Sequence, residues 1–189
     1  MFYLKAITAI LLSMLSLTVA AELKNTVEYK YYVISPRTVY EIKPELMRHS
    51  PIRAGSGSYN GHTDWYIDWK YHPAPGPYGC QLHNIVTRVH VIHTLPALSE
   101  YVSDKQTIDV FKQFNEALTR HEKNHGNNGL AAAREIDKAL SEMPPQRDCR
   151  SLSRMADDIA SAIVQKYIRA DNEYDRITRS GETEGATIH

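Results

Sequence analysis

The chain has 189 residues, of which 42% are hydrophobic and 23% charged, and its 22 basic and 22 acidic side chains cancel. This balance argues against a nucleic-acid-binding protein and gives no reason to expect electrostatic attachment to a membrane surface. The length suits one compact domain with its own hydrophobic core.

The first residues have the pattern of a secretory signal peptide. Met1 to Lys5 form a short charged start, Ile7 to Val19 form an apolar run, and small residues follow. We predict that residues 1–21 are removed after Ala20 or the next residue. The remaining 22–189 would form a single domain without a stable membrane span, in the periplasm or secreted. An uncleaved membrane anchor is the competing interpretation, although the apolar run is short for a spanning helix.

The first half of the domain has strand-like patterns. Tyrosine and β-branched residues dominate Val27 to Ile34, and aromatic and polar residues alternate from Thr63 to Tyr71. A third run extends from Leu82 to Thr94 and is expected to end before Pro96. Val39 to Met47 is typical of a short helix. These patterns predict a small antiparallel sheet.

From Ser103 onward the apolar residues recur at helical intervals. Ser103 and Gln106 predict a capping box at the start of a long helix, which would run to about Met143 before two prolines stop it. Apolar residues from Leu152 predict a second helix that extends toward Asp175. The predicted fold class is therefore α+β, with the small sheet followed by a long antiparallel helix pair.

The two cysteines, Cys80 and Cys149, suit an oxidising compartment. They could close one disulfide between the two halves of the domain. Metal ligation by these cysteines is the weaker alternative, because neither has a CxxC partner.

The long helix carries the motif HExxH at residues 121–125. Its spacing puts His121 and His125 on one helix face, where both can bind one Zn²⁺ ion, with Glu122 beside the open coordination position as general base. The motif interrupts an apolar stripe, and a buried face is where a metal site is expected. Histidines exposed on the helix or hydrogen-bonded in the core are the alternative interpretation.

A catalytic zinc needs a third protein ligand, and the second helix could supply it. If the two helices mirror each other about Gln146, the motif lies level with residues 167–172. Side chains with oxygen atoms cluster there or one turn beyond, and the helical phase favours two of them, Asp171 and Tyr174, as inward-facing. The candidates in this region are Asp171, Glu173, Tyr174 and Asp175.

These residues also carry a family resemblance. The run RHEKNH at residues 120–125, the later Asp148 and Cys149, and the tail with Tyr174, Asp175, Thr178 and Gly181 resemble bacterial predicted secreted zinc-dependent proteases, domain of unknown function 922, whose tail reads YDxxTxHG. The stretch GHTDW at residues 61–65, Cys80 and LPAL at residues 95–98 are similar too. The resemblance implies a zincin-like metallopeptidase of the Gram-negative cell envelope.

One position departs from the family tail. Ser180 stands where the family has histidine, and His189 near the end of the sequence is the candidate replacement. This departure bears on catalytic activity more than on the fold. We take Asp175 as the third metal ligand, with Asp171 and His189 as alternatives.

The sequence therefore predicts a Zn²⁺-dependent peptidase that acts on a peptide or protein substrate. Glu122 would move the proton, Tyr174 would hydrogen-bond the developing oxyanion, and the polar edge of the strand 63–71 could hold an extended peptide. His90 and His93 lie on opposite faces of one strand and are assigned no role. The alternative function is a non-catalytic envelope protein that uses the helix pair to bind metal or a partner. The oligomeric state is left open.

Overall fold

The computed structural model describes residues 22–54 and 57–188. The predicted signal peptide, residues 1–21, and His189 lie outside this range, so neither prediction is tested. The elements are β1 (Glu22–Ile34), α1 (Val39–His49), β2 (Arg53–Ala54), β3 (Gly57–Ser58), β4 (His62–Gly76), β5 (Gly79–Leu98), α2 (Lys105–Ser141), α3 (Cys149–Thr178) and a 3₁₀ turn (Glu182–Glu184). In these described ranges, no helix is both long and apolar enough to span a bilayer.

The α+β class is confirmed, but the sheet is mixed rather than antiparallel. β4 and β5 form an antiparallel hairpin, and β1 pairs in parallel with β5, so the order is β1-β5-β4. A parallel pair needs a long connection, and residues 35–78, which include α1 and β4, supply it. The prediction of a wholly antiparallel sheet is therefore wrong for β1.

One face of the sheet is covered by helix. The predicted alternation in β4 is confirmed, because Thr63, Trp65 and the following odd-numbered residues are buried or half-buried, whereas Tyr66, Asp68 and Lys70 are exposed. β5 continues through Pro96, contrary to the expected end there. β4 begins opposite Thr94, so at Pro96 the strand β5 pairs with β1 alone. A proline is tolerated in such a place because only one side of the strand needs ladder hydrogen bonds.

Helix α2 begins one residue later than the predicted capping box. Asp104 is the N-cap, and its carboxylate accepts hydrogen bonds from the Thr107 amide at 2.8 Å and hydroxyl at 2.6 Å. Ser103 therefore lies outside the helix. The apolar stripe of α2 packs with α1 and the sheet in one cluster of Ile34, Ile42, Leu46, Leu95, Phe111, Phe114 and Leu118.

Helices α2 and α3 pack together, and a disulfide fixes their connection to the sheet. Cys80 at the start of β5 is bonded to Cys149 at the start of α3, as the sequence suggested. Cys80 also exchanges two backbone hydrogen bonds with Gln146, at 2.7 and 2.9 Å. The start of α3 is thus attached to the strand that runs beneath α2.

Two glycines bring α2 close to the sheet. A Cβ atom at Gly126 would lie 2.7 Å from Cε1 of His93, and one at Gly129 would lie 2.6 Å from Cγ of Trp65. Neither position has room for a methyl group. The helix therefore rests directly on β4 and β5, just beyond the HExxH motif.

We predict that Gly129→Ala destabilises the protein by about 1–3 kcal/mol, because the methyl group overpacks against Trp65. Urea unfolding of the variant measures this change. Asn127→Ala, at an exposed position two residues earlier, is the control and should change stability by less than about 0.5 kcal/mol. Equal stability of both variants would contradict the close packing.

Candidate metal centre

Three side chains from α2 and α3 direct one atom each toward a common point. Nε2 of His121 lies 3.2 Å from Nε2 of His125, and Oδ1 of Asp175 lies 3.1 and 3.0 Å from these two nitrogens. A tetrahedral zinc ion with bonds of about 2.0–2.1 Å would separate neighbouring ligand atoms by roughly 3.3–3.4 Å. The spacing and the donor types therefore fit a zinc ion with three protein ligands.

The outer nitrogen of each imidazole is held by a carboxylate. Nδ1 of His121 lies 2.9 Å from Oε2 of Glu184, and Nδ1 of His125 lies 3.0 Å from Oδ1 of Asp171. An ionised carboxylate can only accept, so each Nδ1 carries a proton, and a metal ion bound at the common point would take the two Nε2 lone pairs. This is the arrangement by which carboxylates orient histidine ligands around metals.

Two imidazole lone pairs and a carboxylate oxygen repel one another at these distances unless positive charge lies between them. A metal ion can supply that charge, and so can protons on the imidazoles. Burial lowers the pKa of His125, but hydrogen bonds to Asp171 and Asp175 outweigh it and raise the pKa to about 10. Burial likewise opposes the hydrogen bonds of His121, whose pKa is raised. The pKa of Asp175 is raised by burial but lowered further by both imidazoles, and the net result is a decrease. The centre is built to hold positive charge.

Glu122 follows His121 in α2 and is buried, with only 4% of its surface exposed. Its Oε2 accepts a hydrogen bond of 2.8 Å from the hydroxyl of Thr63 in β4. Its Oε1 faces Gly61, where a Cβ atom would approach to 2.9 Å. Burial raises the pKa of Glu122, and the Thr63 hydrogen bond and neighbouring imidazoles only partly offset it.

The stretch GHTDW therefore forms one wall of the site. Gly61 and Thr63 contact Glu122, and the indole nitrogen of Trp65 donates a hydrogen bond of 2.8 Å to Oδ2 of Asp171. Asn128 of α2 donates to the other oxygen of Asp171 at 2.7 Å. Both oxygens of Asp171 are thus fixed, and its contact with His125 is held in place.

His93, for which the sequence predicted no role, lies against the site. His93 is 3% exposed, its Nδ1 lies 2.9 Å from Oγ1 of Thr63, and its ring packs on Gly126. Burial lowers its pKa, and the charges of Lys123 and His125 add to that decrease. His90, on the opposite face, pairs instead with Glu28. The alternation of apolar residues along β5 was the sequence signal that could have identified His93 as the buried histidine and His90 as the more exposed one.

Glu184 was also missed, because it follows the helix in a short 3₁₀ turn that no periodicity marks. The chain reverses through Arg179, Ser180 and Gly181, all with positive φ. Gly181 lies against His121, where a Cβ atom would be 3.0 Å from the ring. This close turn returns Glu184 to Nδ1 of His121.

Tyr174 lies beside the histidines, but its hydroxyl is engaged. The hydroxyl lies 2.8 Å from Oε1 of Glu184 and accepts a hydrogen bond of 2.7 Å from Asn124. Its ring stacks on His121 at a centroid distance of 4.8 Å. Burial raises its pKa to about 12, with Glu184 adding to the increase and Asn124 opposing it. In this arrangement Tyr174 positions Glu184 and His121.

The structure brings together His121, Glu122, His125 and both aspartates predicted near them. The residues of α3 that face the motif lie about one turn later in the sequence than predicted. His121 contacts Asp175 and His125 contacts Asp171, so the two helices mirror each other about Asp148 and not about Gln146, because residues 142–148 are not helical. Ser180 is exposed, and the three-ligand cluster forms without it. His189 lies beyond the described part of the chain.

We predict that Asp171→Asn weakens zinc binding by about 10–100-fold, because the amide no longer favours a protonated Nδ1 on His125. Competition with a zinc indicator dye measures the affinity. Glu173→Gln, an exposed change on the same helix, should leave the affinity unaltered. Equal affinities of Asp171→Asn and the unaltered protein would contradict the orienting role.

We also predict that the metal-free protein loses stability as pH rises. The raised pKa of His125 means that its proton stabilises the folded state fully below pH 6.5, and that this contribution is lost as pH rises toward about 10. Chemical unfolding in the presence of a chelator, followed across that interval, measures the decrease. The decrease should be reduced in His125→Gln and kept in His72→Gln; an unchanged decrease in His125→Gln would contradict this origin.

Comparisons with known proteins give a family but no activity. No curated protein and no solved structure matches the chain. The family model described as "Bacterial protein of unknown function (DUF922)" matches residues 29–182, from β1 to the 3₁₀ turn. That range covers the wall and both helices of the candidate metal centre and ends two residues before Glu184. The chain therefore belongs to the DUF922 family of bacterial proteins.

Proposed function

We propose that the protein is a zinc-dependent metallopeptidase of zincin-like design that hydrolyses peptide bonds. The ligands of the proposed Zn²⁺ are His121, His125 and Asp175, and Glu122 is the general base. One observation carries the proposal. Two imidazole nitrogens and a carboxylate oxygen meet within 3.0–3.2 Å of one another, and each outer imidazole nitrogen faces a carboxylate.

The donor set favours zinc over the hard cations. Calcium and magnesium prefer oxygen ligands, whereas two neutral imidazoles with one carboxylate are typical of catalytic zinc sites. Three protein ligands leave a fourth position of the tetrahedron for water. Asp175 is 45% exposed, so solvent and substrate can reach that side of the centre.

Zinc bound in such a site lowers the pKa of water and polarises a carbonyl group. The protein's own contribution is made by Glu122. It accepts the proton of the attacking water and passes it to the leaving amine, and the raised pKa of its buried carboxyl brings it closer to the working pH. Thr63 fixes one carboxylate oxygen, and Gly61 leaves room beside the other.

The outer edge of β4 is the proposed place for the substrate. β4 is an edge strand whose Thr63 and Trp65 contact residues of the site, as does Gly61 just before it, so an extended peptide that adds to this edge would pass the metal centre. Tyr174 remains a proposed oxyanion donor, which would require its hydroxyl to leave Glu184.

We further propose that the protein works in the periplasm or outside the cell, with residues 1–21 as the signal peptide. The disulfide between Cys80 and Cys149 supports this location, because such bonds persist in oxidising compartments.

We predict that Glu122→Gln keeps one zinc per chain but lowers the rate of peptide cleavage by about 10²–10⁴-fold, because the amide cannot accept the proton. Zinc content is measured by elemental analysis, and cleavage by mass spectrometry on a proteome-derived peptide library. Glu116→Gln, an exposed change on the same helix, is the control and should retain full activity.

The same experiment tests the alternative function. Zinc-dependent cleavage that a chelator abolishes and that Glu122→Gln lacks supports the peptidase. Stoichiometric zinc with no cleavage in the unaltered protein would instead favour a non-catalytic envelope protein with a structural metal. Absence of bound zinc would overturn the proposal altogether.

A further inference from the structure

Strand β1 has a long regular edge on the side away from the metal centre. It runs for 13 residues, Glu22–Ile34, and pairs with β5 along its whole length without a bulge. In the described ranges, no other strand pairs with its outer edge. Soluble proteins usually shorten, bend or cover such an edge, because it offers unpaired backbone groups to another strand.

The charges along this edge have a symmetric pattern. On the face of the sheet away from the helices, β1 presents Glu22, Lys24, Thr26, Glu28 and Lys30 at alternate positions. The four charged side chains are 45–59% exposed. Within one chain they form weak, exposed ion pairs, Lys24 with Glu22 at 3.1 Å and Lys30 with Glu28 at 3.7 Å, and Glu28 also lies 3.2 Å from Nε2 of His90 in β5.

An antiparallel copy of β1 matches this pattern when the two-fold axis passes through Thr26. Glu22 then faces Lys30 of the second copy, Lys24 faces Glu28, and Thr26 faces itself. Because each pair occurs twice, four opposite-charge contacts form across the new strand pair. Directly opposite charges of unlike sign stabilise antiparallel strands, and like charges destabilise them.

Neighbouring registers lack this match. A two-fold axis perpendicular to the sheet must pass through a residue, because opposite residues have to share a face. Moving the axis to Val27 places Lys24 opposite Lys30, moving it to Asn25 places Glu22 opposite Glu28, and moving it to Glu28 places that residue opposite itself. Of these registers, only the one centred on Thr26 pairs all four charges with opposite charges.

The other face of the strand supplies apolar area for the same contact. Val27 is 47% and Tyr29 is 40% exposed, although Tyr29 already packs on His93 with ring centroids 4.9 Å apart. In the Thr26 register Tyr29 faces Leu23 of the second copy and Val27 faces Asn25. Cross-strand contacts between aromatic and aliphatic side chains add stability beyond that of the backbone hydrogen bonds.

We propose that β1 is a homodimer interface, in which two copies of this chain pair antiparallel about Thr26 and join their sheets into one of six strands. The helices of both copies lie on the same face of the joined sheet. The metal centres lie at the opposite, β4 edges, so both remain accessible. The contact is independent of the proposed peptidase activity.

Sedimentation of the purified protein, expressed from its full sequence, tests the interface. The unaltered protein should show a concentration-dependent monomer–dimer equilibrium. Glu28→Lys places a positive charge opposite Lys24 of the other copy, at both symmetry-related positions. This change should raise the Kd of the dimer at least about tenfold. The double variant K24E/E28K exchanges the two charges and should restore the original Kd.

A control and a second variant make the test decisive. Glu116→Lys, the same charge change at an exposed position of α2, should leave the Kd unaltered, and circular dichroism confirms that each variant is folded. Under oxidising conditions Thr26→Cys should form a covalent dimer, because the paired Cα atoms lie about 4.5–5.5 Å apart. Lys24→Cys should not, since its two copies would be separated by roughly 13 Å along the strands.

A purely monomeric protein would overturn the proposal. So would a dimer that Glu28→Lys leaves intact, because the contact would then lie elsewhere. Failure of the double variant to restore association, or equal crosslinking at positions 24 and 26, would overturn the register and with it the inferred interface.

Discussion

The structure depends on one electrostatic constraint, which is that two imidazole nitrogens and a carboxylate oxygen meet at a single point. His121, His125 and Asp175 contribute these atoms at 3.0–3.2 Å. Lone pairs at such distances repel one another unless protons or a cation lie between them. The rest of the fold supplies the forces that keep them together, and the carboxylates of Asp171 and Glu184 hold both rings in the orientation that makes the point attractive to a metal.

Each element around the centre has a role in holding this arrangement. β4 contributes Thr63 to Glu122 and Trp65 to Asp171, while β5 contributes His93, which packs on Gly126. The disulfide and the backbone bridge from β5 determine where α3 begins and therefore which of its residues reach α2. Thr63 lies 59 positions from Glu122, and Asp175 lies 50 positions from His125, so the site forms only when these distant segments fold together.

The α+β class and most of its elements could be predicted, because the spacing of apolar residues indicates where helices and strands lie. The alternation from Thr63 to Tyr71 and the stripe of α2 are confirmed. The predicted antiparallel pairing of β1 was wrong. The direction in which β1 pairs with β5 depends on the path of the chain through α1 and β4, and no local sequence pattern encodes that path. Glu184 was not predicted, because it contacts His121 only through a short turn with positive φ that no sequence pattern indicates.

By itself, the sequence determined the chemistry that is local to one helix. His121 and His125 lie one turn apart on one face with Glu122 beside them, since helical geometry alone requires it. Only the tertiary structure decided that Asp175 would complete the cluster while Asp171 supports His125. It also decided that Thr63 would contact both Glu122 and His93. The physical reason is that these contacts depend on the offset between α2 and α3 and on the close approach of glycine to the sheet. Both are set by packing between distant segments, which residue spacing along the chain does not record.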